Sequence, residues 1–135
     1  MVRSNKILID TNILLYMYDN KKDIFDAVRV VIPNAEFYIL DKVFIEIDRV
    51  YKNKPTKLRL IKNYLKKLES LKKFEIIKVP VELLETKMKY SKIDNLLIYY
   101  SNKYIIYTND RILKEKIKIK GNKTLTLKTN GVLLS

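Results

Sequence analysis

The stretch that decides the fold is Lys6-Ile7-Leu8-Ile9-Asp10-Thr11-Asn12, close to the start of the sequence. The apolar run from Ile7 to Ile9 is short and rich in β-branched residues, which is typical of a strand buried on both faces. A second apolar run, Ile13 to Tyr18, follows the polar residues and predicts a helix. Open α/β proteins carry functional groups where a buried strand ends and a helix begins. Asp10 and Asn12 also suit a helix cap, so the motif alone has two interpretations.

The composition predicts one domain, residues 1–135, with a substantial apolar core. Of the 135 residues 47% are apolar, and two glycines and three prolines leave no long linker. No apolar run is as long as a membrane span and no signal peptide is evident, so we expect a soluble, cytoplasmic protein.

Cysteine and histidine are both absent from the sequence. Their absence excludes disulfides, thiol nucleophiles, zinc–thiolate sites and imidazole bases. Metal chemistry in this protein therefore depends on carboxylates, which favour hard ions such as Mg²⁺ or Mn²⁺.

The net charge of +13, from 28 basic and 15 acidic residues, indicates a polyanionic partner. Nucleic acid is the first candidate and an anionic membrane surface the second. Basic residues concentrate in two segments, nine against one acid from Lys52 to Phe74 and seven against one from Arg111 to the end. A solvated surface and a phosphate-binding surface are both consistent with the basic face of the helix that begins at Pro55. The residues predicted to share that face are Arg59, Lys62, Lys66 and Lys73.

Strands alternate with helices along the rest of the chain. Further strands are predicted at Phe37–Leu40, Lys103–Tyr107 and Thr124–Leu127, with a possible one at Glu75–Val79. Helices are predicted between them, among them Val81–Lys89. This alternation predicts an α/β fold with a mostly parallel sheet and helices on both sides. The tail through Leu134 shows no pattern that assigns it.

Two of the predicted strands end in similar polar clusters, Asp10-Thr11-Asn12 and Thr108-Asn109-Asp110. In a parallel sheet both clusters lie along one edge. Asp94 begins the helix that leads into the second of these strands, so it can lie at that edge too, although its place also fits a helix cap. The fourth acid is Glu46 or Asp48, which flank the apolar stripe of one helix on opposite sides.

Carboxylates that converge without basic partners repel one another unless a cation neutralises them. The chemistry that such a cluster supports is metal-assisted hydrolysis of a phosphodiester, in which one or two divalent ions activate a water molecule and stabilise charge on the phosphate. Nearby lysine and arginine side chains would hold the polyanion.

These motifs resemble, in the same order, the four motifs of PIN-domain nucleases. Ile7–Leu15 is similar to the first motif, Val43–Val50 to the second, Asp94 at a helix start to the third and Tyr107–Leu113 to the fourth. The resemblance implies a Rossmann-like three-layer α/β/α sandwich and a ribonuclease that depends on Mg²⁺ or Mn²⁺. The implied catalytic and metal-binding acids are Asp10, Glu46, Asp94 and Asp110, supported by Asn12 and Thr108.

The chain departs from the family pattern at two positions beside the third motif. Ile93 stands where a small residue is common, and Asn95 where many members carry a second acid, which bears on affinity for a second metal. Asp41 and Asp48 are interpreted as a helix cap and a surface acid.

The sequence thus predicts a PIN-type endoribonuclease, either a VapC-type toxin with an antitoxin partner or an rRNA- or tRNA-maturation enzyme. The alternative is a non-catalytic RNA-binding PIN-like module in ribosome assembly, with a ribosome-assembly partner. We expect RNA as the partner, a homodimer as a further possibility, and no membrane association. The predicted RNA-binding residues are Arg59, Lys62, Lys66, Lys73 and Arg111.

Overall fold

The computed structural model of the protein describes residues 5–85 and 93–135. Within these ranges the strands are β1 (Lys6–Ile9), β2 (Glu36–Leu40), β3 (Glu75–Ile77), β4 (Ile105–Tyr107), β5 (Thr124–Lys128) and β6 (Gly131–Leu134). The helices are α1 (Thr11–Asn20), α2 (Ile24–Val31), α3 (Asp41–Val50), α4 (Pro55–Ser70), α5 (Val81–Glu85), α6 (Ile93–Tyr100) and α7 (Arg111–Ile119).

The described strands form one six-stranded sheet in the order β3-β2-β1-β4-β5-β6. Neighbouring strands run parallel except for β5 and β6, which pair as an antiparallel hairpin. β1 lies inside the sheet, where Ile7 is in register with Phe37 of β2 and Ile105 of β4. The predicted α/β fold with a mostly parallel sheet is confirmed.

Helices pack on both faces of this sheet. On one face, Phe25 of α2 contacts Phe37 of β2 edge to face, with ring centroids 4.9 Å apart. On the other, Tyr38 contacts Tyr104 with centroids 5.3 Å apart, and Tyr104 in turn contacts Tyr100 of α6. Because neighbouring side chains of a strand point to opposite faces, these contacts place helices in two outer layers. The architecture is the expected three-layer α/β/α sandwich.

The predicted strand Ile7–Ile9 is buried on both faces, because all three side chains are 0% exposed. Burying each of them contributes roughly 1.5–3 kcal/mol to stability. Local signals then set where the helices begin: Asp23 Oδ1 accepts hydrogen bonds from the backbone N–H of Phe25 and Asp26 and so caps α2. Pro55 is the first residue of α4, a position where its missing N–H costs nothing.

Two sequence predictions in this region need correction: the role of Asp41 is wrong, and the predicted third strand is present but shorter. Asp41 does not cap α3, because its Oδ1 accepts a hydrogen bond from the backbone N–H of Val79 at 3.2 Å. β3 ends at Ile77 rather than at Val79, because its partner β2 ends at the paired residue Leu40, where α3 begins.

Two further differences between the predicted and the observed elements lie after residue 80. The predicted helix Val81–Lys89 is seen as far as Glu85, and its remainder lies outside the described residues. The unassigned tail contains β6, which pairs with β5 from Leu125 to Lys128.

α4 is the longest helix described, at 16 residues, and it is rich in lysine. A helix needs about 20 mostly apolar residues to cross a bilayer. None of the described helices has both the length and the apolar character for such a span. The expected cytoplasmic location stays a prediction.

Candidate active site

The ends of β1 and β4 meet at one edge of the sheet, as the two polar clusters predict. The backbone N–H of Asp10 donates to the carbonyl of Tyr107 at 2.9 Å. The Thr108 hydroxyl donates to Asp10 Oδ2 at 2.7 Å, and it accepts a hydrogen bond from the backbone N–H of Asp110 at 3.0 Å. Thr108 is itself 0% exposed, so this link between the two strand ends is shielded from water.

Asp10 is a buried carboxylate, with only 5% of its surface exposed. Its Oδ1 accepts a hydrogen bond from the backbone N–H of Thr11 at 2.7 Å, which also caps α1. Burial is the main cause that raises the pKa of Asp10 to about 6, and the negative charges of Asp94 and Glu46 raise it further. The hydrogen bonds from Thr108 and Thr11 lower it but do not cancel the increase.

Three of the four predicted acids are therefore close enough to interact electrostatically. Glu46 is half-buried on α3 and Asp94 is exposed in the first turn of α6. Asp48, the alternative on α3, instead forms a salt bridge with Lys62 of α4.

The fourth predicted acid, Asp110, is connected to Asp10 through Thr108 and also caps α7. Asp110 Oδ1 accepts a hydrogen bond from the backbone N–H of Leu113 at 3.1 Å. The next residue, Arg111, is exposed beside it. Asn12 is exposed as well, and its side chain makes no hydrogen bond within the described part of the chain. Helix capping, the alternative interpretation of these motifs, thus operates at Asp10 and Asp110 alongside any chemical role.

Asn109 is a positioning residue that sequence reasoning overlooked. Its Oδ1 accepts from the backbone N–H of Leu127 at 2.8 Å, and its Nδ2 donates to the carbonyl of the same residue at 3.3 Å. This pair of bonds ties the loop after β4 to β5 and so holds Thr108 and Asp110 in place. The available signal was the asparagine inside the second polar cluster, because an asparagine amide can imitate the hydrogen bonding of a backbone.

A curated relative establishes the family. The chain is 32% identical over 124 residues to Ribonuclease VapC9 of Archaeoglobus fulgidus, an alignment that covers 88% of this chain and 82% of that protein. The chain belongs to the PIN-domain nuclease family. The family that the motifs indicated is therefore confirmed.

Solved structures show that the PIN fold extends over nearly the whole chain. The PIN domain endonuclease Utp24 matches with a TM-score of 0.67 at 21% identity, covering 96% of this chain and 90% of that one. A domain of a functionally unknown protein from Methanocaldococcus jannaschii matches with a TM-score of 0.60 at 17% identity, covering 92% and 91%. No protein-family model matches the chain.

The donor chemistry of this PIN domain fits a divalent cation. The acids supply carboxylate oxygens, which are hard ligands of the kind that Mg²⁺ and Mn²⁺ prefer. A cation at this edge would counteract both causes of the raised pKa of Asp10, its burial and its acidic neighbours. Within residues 5–85 and 93–135, however, no three acidic side chains are gathered closely enough to form a metal-binding cluster.

The predicted RNA-binding residues of the PIN domain lie on different surfaces. Arg59, Lys62 and Lys66 line one groove beside α4. Lys73 does not continue that face, because α4 ends at Ser70 and the next turn of the chain passes through Lys72 at φ 59°. Lys73 instead lines a separate cavity between α1, α2 and α4.

Proposed function

We propose that residues 1–135 form one PIN-like domain that acts as a metal-dependent endoribonuclease. The observation that carries this proposal is Asp10, a buried carboxylate held by Thr108 at the sheet edge, with Glu46 and Asp94 close enough to raise its pKa. The identity to a protein named as a ribonuclease supports RNA as the substrate.

The four acids Asp10, Glu46, Asp94 and Asp110 would hold Mg²⁺ or Mn²⁺. Such an ion, when bound, lowers the pKa of an attacking water and stabilises charge on the phosphate. Thr108 orients Asp10 by donating to its Oδ2, and the backbone N–H of Thr11 does the same at Oδ1. Since each carboxylate oxygen has two lone pairs, both remain able to bind a cation.

The charge of the protein supports a polyanionic substrate. Arg111 is exposed directly after Asp110, where it can contact a phosphate next to the acidic residues. The formal net charge of +13 would attract RNA over a longer distance and make binding dependent on salt.

The VapC relative supports a toxin-type role with an antitoxin as the protein partner, and an RNA-maturation role would use the same chemistry. A non-catalytic binding module is the less favoured alternative, because a surface that only bound phosphates would gain nothing from placing Glu46 and Asp94 near Asp10, where their negative charges would repel the phosphates. A homodimer stays a prediction.

Cleavage of a mixed-sequence single-stranded RNA by the purified protein tests the proposal, with Mn²⁺, with Mg²⁺ and with EDTA. We expect metal-dependent cleavage that is lost in Asp10→Asn and Glu46→Gln. Asp26→Asn is the control, because it removes one exposed acid of α2 that belongs neither to the candidate site nor to the predicted RNA-binding residues. Cleavage that persists in EDTA, or that survives in Asp10→Asn, would refute the proposed site. Equal loss of cleavage in Asp26→Asn and Glu46→Gln would show that removing any acid lowers activity, and would contradict a specific role of Glu46.

A further inference from the structure

A groove of about 610 Å³ lies between α3, α4 and the edge strand β3. Phe44 of α3 lines it, and Asp48, one turn further along, forms a salt bridge with Lys62 on α4. Glu46 is two residues from Phe44 and two from Asp48, so its side chain is rotated by roughly 200° about the helix axis from each of theirs. The groove therefore borders the helix that carries Glu46 but lies on its other flank, outside the candidate active site.

The floor of the groove is apolar and its rim is basic. The floor includes Phe44 and Leu58, and Ile76 of β3 keeps 38% of its surface exposed there. Arg59, Lys62 and Lys66 line the groove against a single acid, Glu69. A basic groove that carries an aromatic side chain is the combination that binds phosphates and stacks bases of single-stranded nucleic acids, and Phe44 supplies the aromatic ring here. The charge of the rim thus selects a polyanionic occupant.

The basic side chains are arranged along the groove rather than clustered. Arg59 and Lys66 are exposed and seven residues apart on α4, which separates them by about 10 Å along the helix axis. Lys62 lies between them, where Asp48 of α3 holds it. Arg59 and Lys66 therefore present two exposed positive charges in line with the helix.

We propose that this groove binds a single-stranded segment of RNA next to the segment that lies at the acidic residues. The inference rests on the proposed ribonuclease function and adds a second binding surface to it. Phosphates contact Arg59 and Lys66, while bases pack on Phe44 and Ile76. Double-stranded RNA keeps its bases inside the helix, so it can reach the rim but not the floor.

RNA binding measured in EDTA, where metal-dependent cleavage cannot occur, tests this groove independently of the proposed nuclease activity. The probes are a fluorescein-labelled oligouridine of about 12 nucleotides and an RNA duplex of the same length, and anisotropy is measured over a range of salt. Arg59→Ala combined with Lys66→Ala should weaken oligouridine binding roughly tenfold or more and flatten the plot of log K against log salt by about 1.4, since two phosphate contacts are lost. The control is Lys52→Ala combined with Lys67→Ala, which removes the same charge from exposed positions that do not line the groove.

The apolar floor has its own test. Ile76→Ala should weaken oligouridine binding without changing the salt dependence, and it should leave duplex binding unaltered. The control is Leu133→Ala, an exposed apolar residue on β6, the opposite edge strand of the sheet. Urea unfolding of each variant confirms that it is folded.

The outcomes distinguish the groove from the proposed function. Equal effects of the groove variants and their controls would overturn the groove, even if the wild type cleaves RNA. A wild type that binds oligouridine through Arg59 and Lys66 but shows no metal-dependent cleavage would support the groove and refute the nuclease. Tighter binding of an acidic amphipathic peptide than of oligouridine, with the same dependence on Arg59 and Lys66, would also overturn an RNA occupant.

Discussion

Asp10→Asn should change the stability of the metal-free protein in opposite directions at low and at neutral pH. The wild-type carboxylate has its pKa raised from 3.8 to about 6 in the folded state, chiefly by burial. Between these values the folded protein retains a proton that the unfolded chain has lost, so rising pH destabilises the fold. The substitution removes this ionisation and with it the destabilisation.

The size of the effect follows from the shift. One pKa unit corresponds to about 1.4 kcal/mol, so ionised Asp10 costs the wild type about 3 kcal/mol of unfolding free energy above pH 7. The asparagine of the variant can still accept a hydrogen bond from Thr11, but its amide nitrogen cannot accept the one from Thr108, a loss of about 1 kcal/mol at any pH. We therefore expect Asp10→Asn to be about 1 kcal/mol less stable near pH 3, below both pKa values, and about 2 kcal/mol more stable near pH 7.5.

The difference in unfolding free energy between the two proteins is measured by urea unfolding, followed by far-ultraviolet circular dichroism, in EDTA and over a series of pH values. The difference between the two proteins cancels the titration of all other groups, and Asp26→Asn, at an exposed acid, serves as the control. Addition of Mn²⁺ at pH 7.5 should stabilise the wild type and not Asp10→Asn. The expected destabilisation by ionised Asp10 would be refuted if the difference in unfolding free energy did not vary with pH, or if it favoured the wild type increasingly as the pH rises.

Two further substitutions test the packing that supports the site. Thr108→Val should lower the free energy of unfolding by about 1–3 kcal/mol, because it leaves Asp10 Oδ2 and the backbone N–H of Asp110 without their buried partner. Thr108→Ser keeps the hydroxyl and should therefore retain most of the wild-type stability in the same urea titration. Equal losses of stability in the two variants would contradict the role of the hydroxyl. Ile47→Ala, at a side chain that is 0% exposed, should cost about 2–5 kcal/mol. Ile45→Ala on the same helix, where the side chain is 47% exposed, should change stability by no more than about 0.5 kcal/mol in thermal or urea unfolding. Similar losses of stability at Ile47 and Ile45 would contradict the buried and exposed faces of α3 described above.

The sequence was most informative where local and tertiary preferences agree. The run Ile7–Ile9 has the composition of a buried strand and occupies an interior position of the sheet, and Pro55 begins α4 as expected. The matching ends of β1 and β4 followed from the parallel arrangement, because parallel strands present their carboxyl ends at one edge.

The failures come from contacts that no local pattern carries. Asp41 looks like a helix cap, but its actual partner is the N–H of Val79, 38 residues later. Lys73 was placed by extending the helical period of α4 past Ser70, where the helix has ended. β6 was missed although Asn130-Gly131 resembles a common hairpin signal. The two-residue turn is in fact Thr129-Asn130, and Gly131 begins β6 with φ 142° where it pairs with Lys128.

The hydrogen bond from Thr108 to Asp10 joins residues 98 positions apart, and this separation governs when the site can exist during synthesis. A ribosome adds roughly 5–20 residues per second, so β1 leaves the ribosome about 5–20 s before the strand that completes the sheet edge. Through that interval Asp10 lacks the hydroxyl that orients it and the neighbour that buries it, and the acids of α3 and α6 have no fixed position relative to it. A nascent chain of this protein therefore carries its first acidic motif without an assembled site until Thr108 has been added, and competence to act on RNA would arrive together with the last third of the PIN fold.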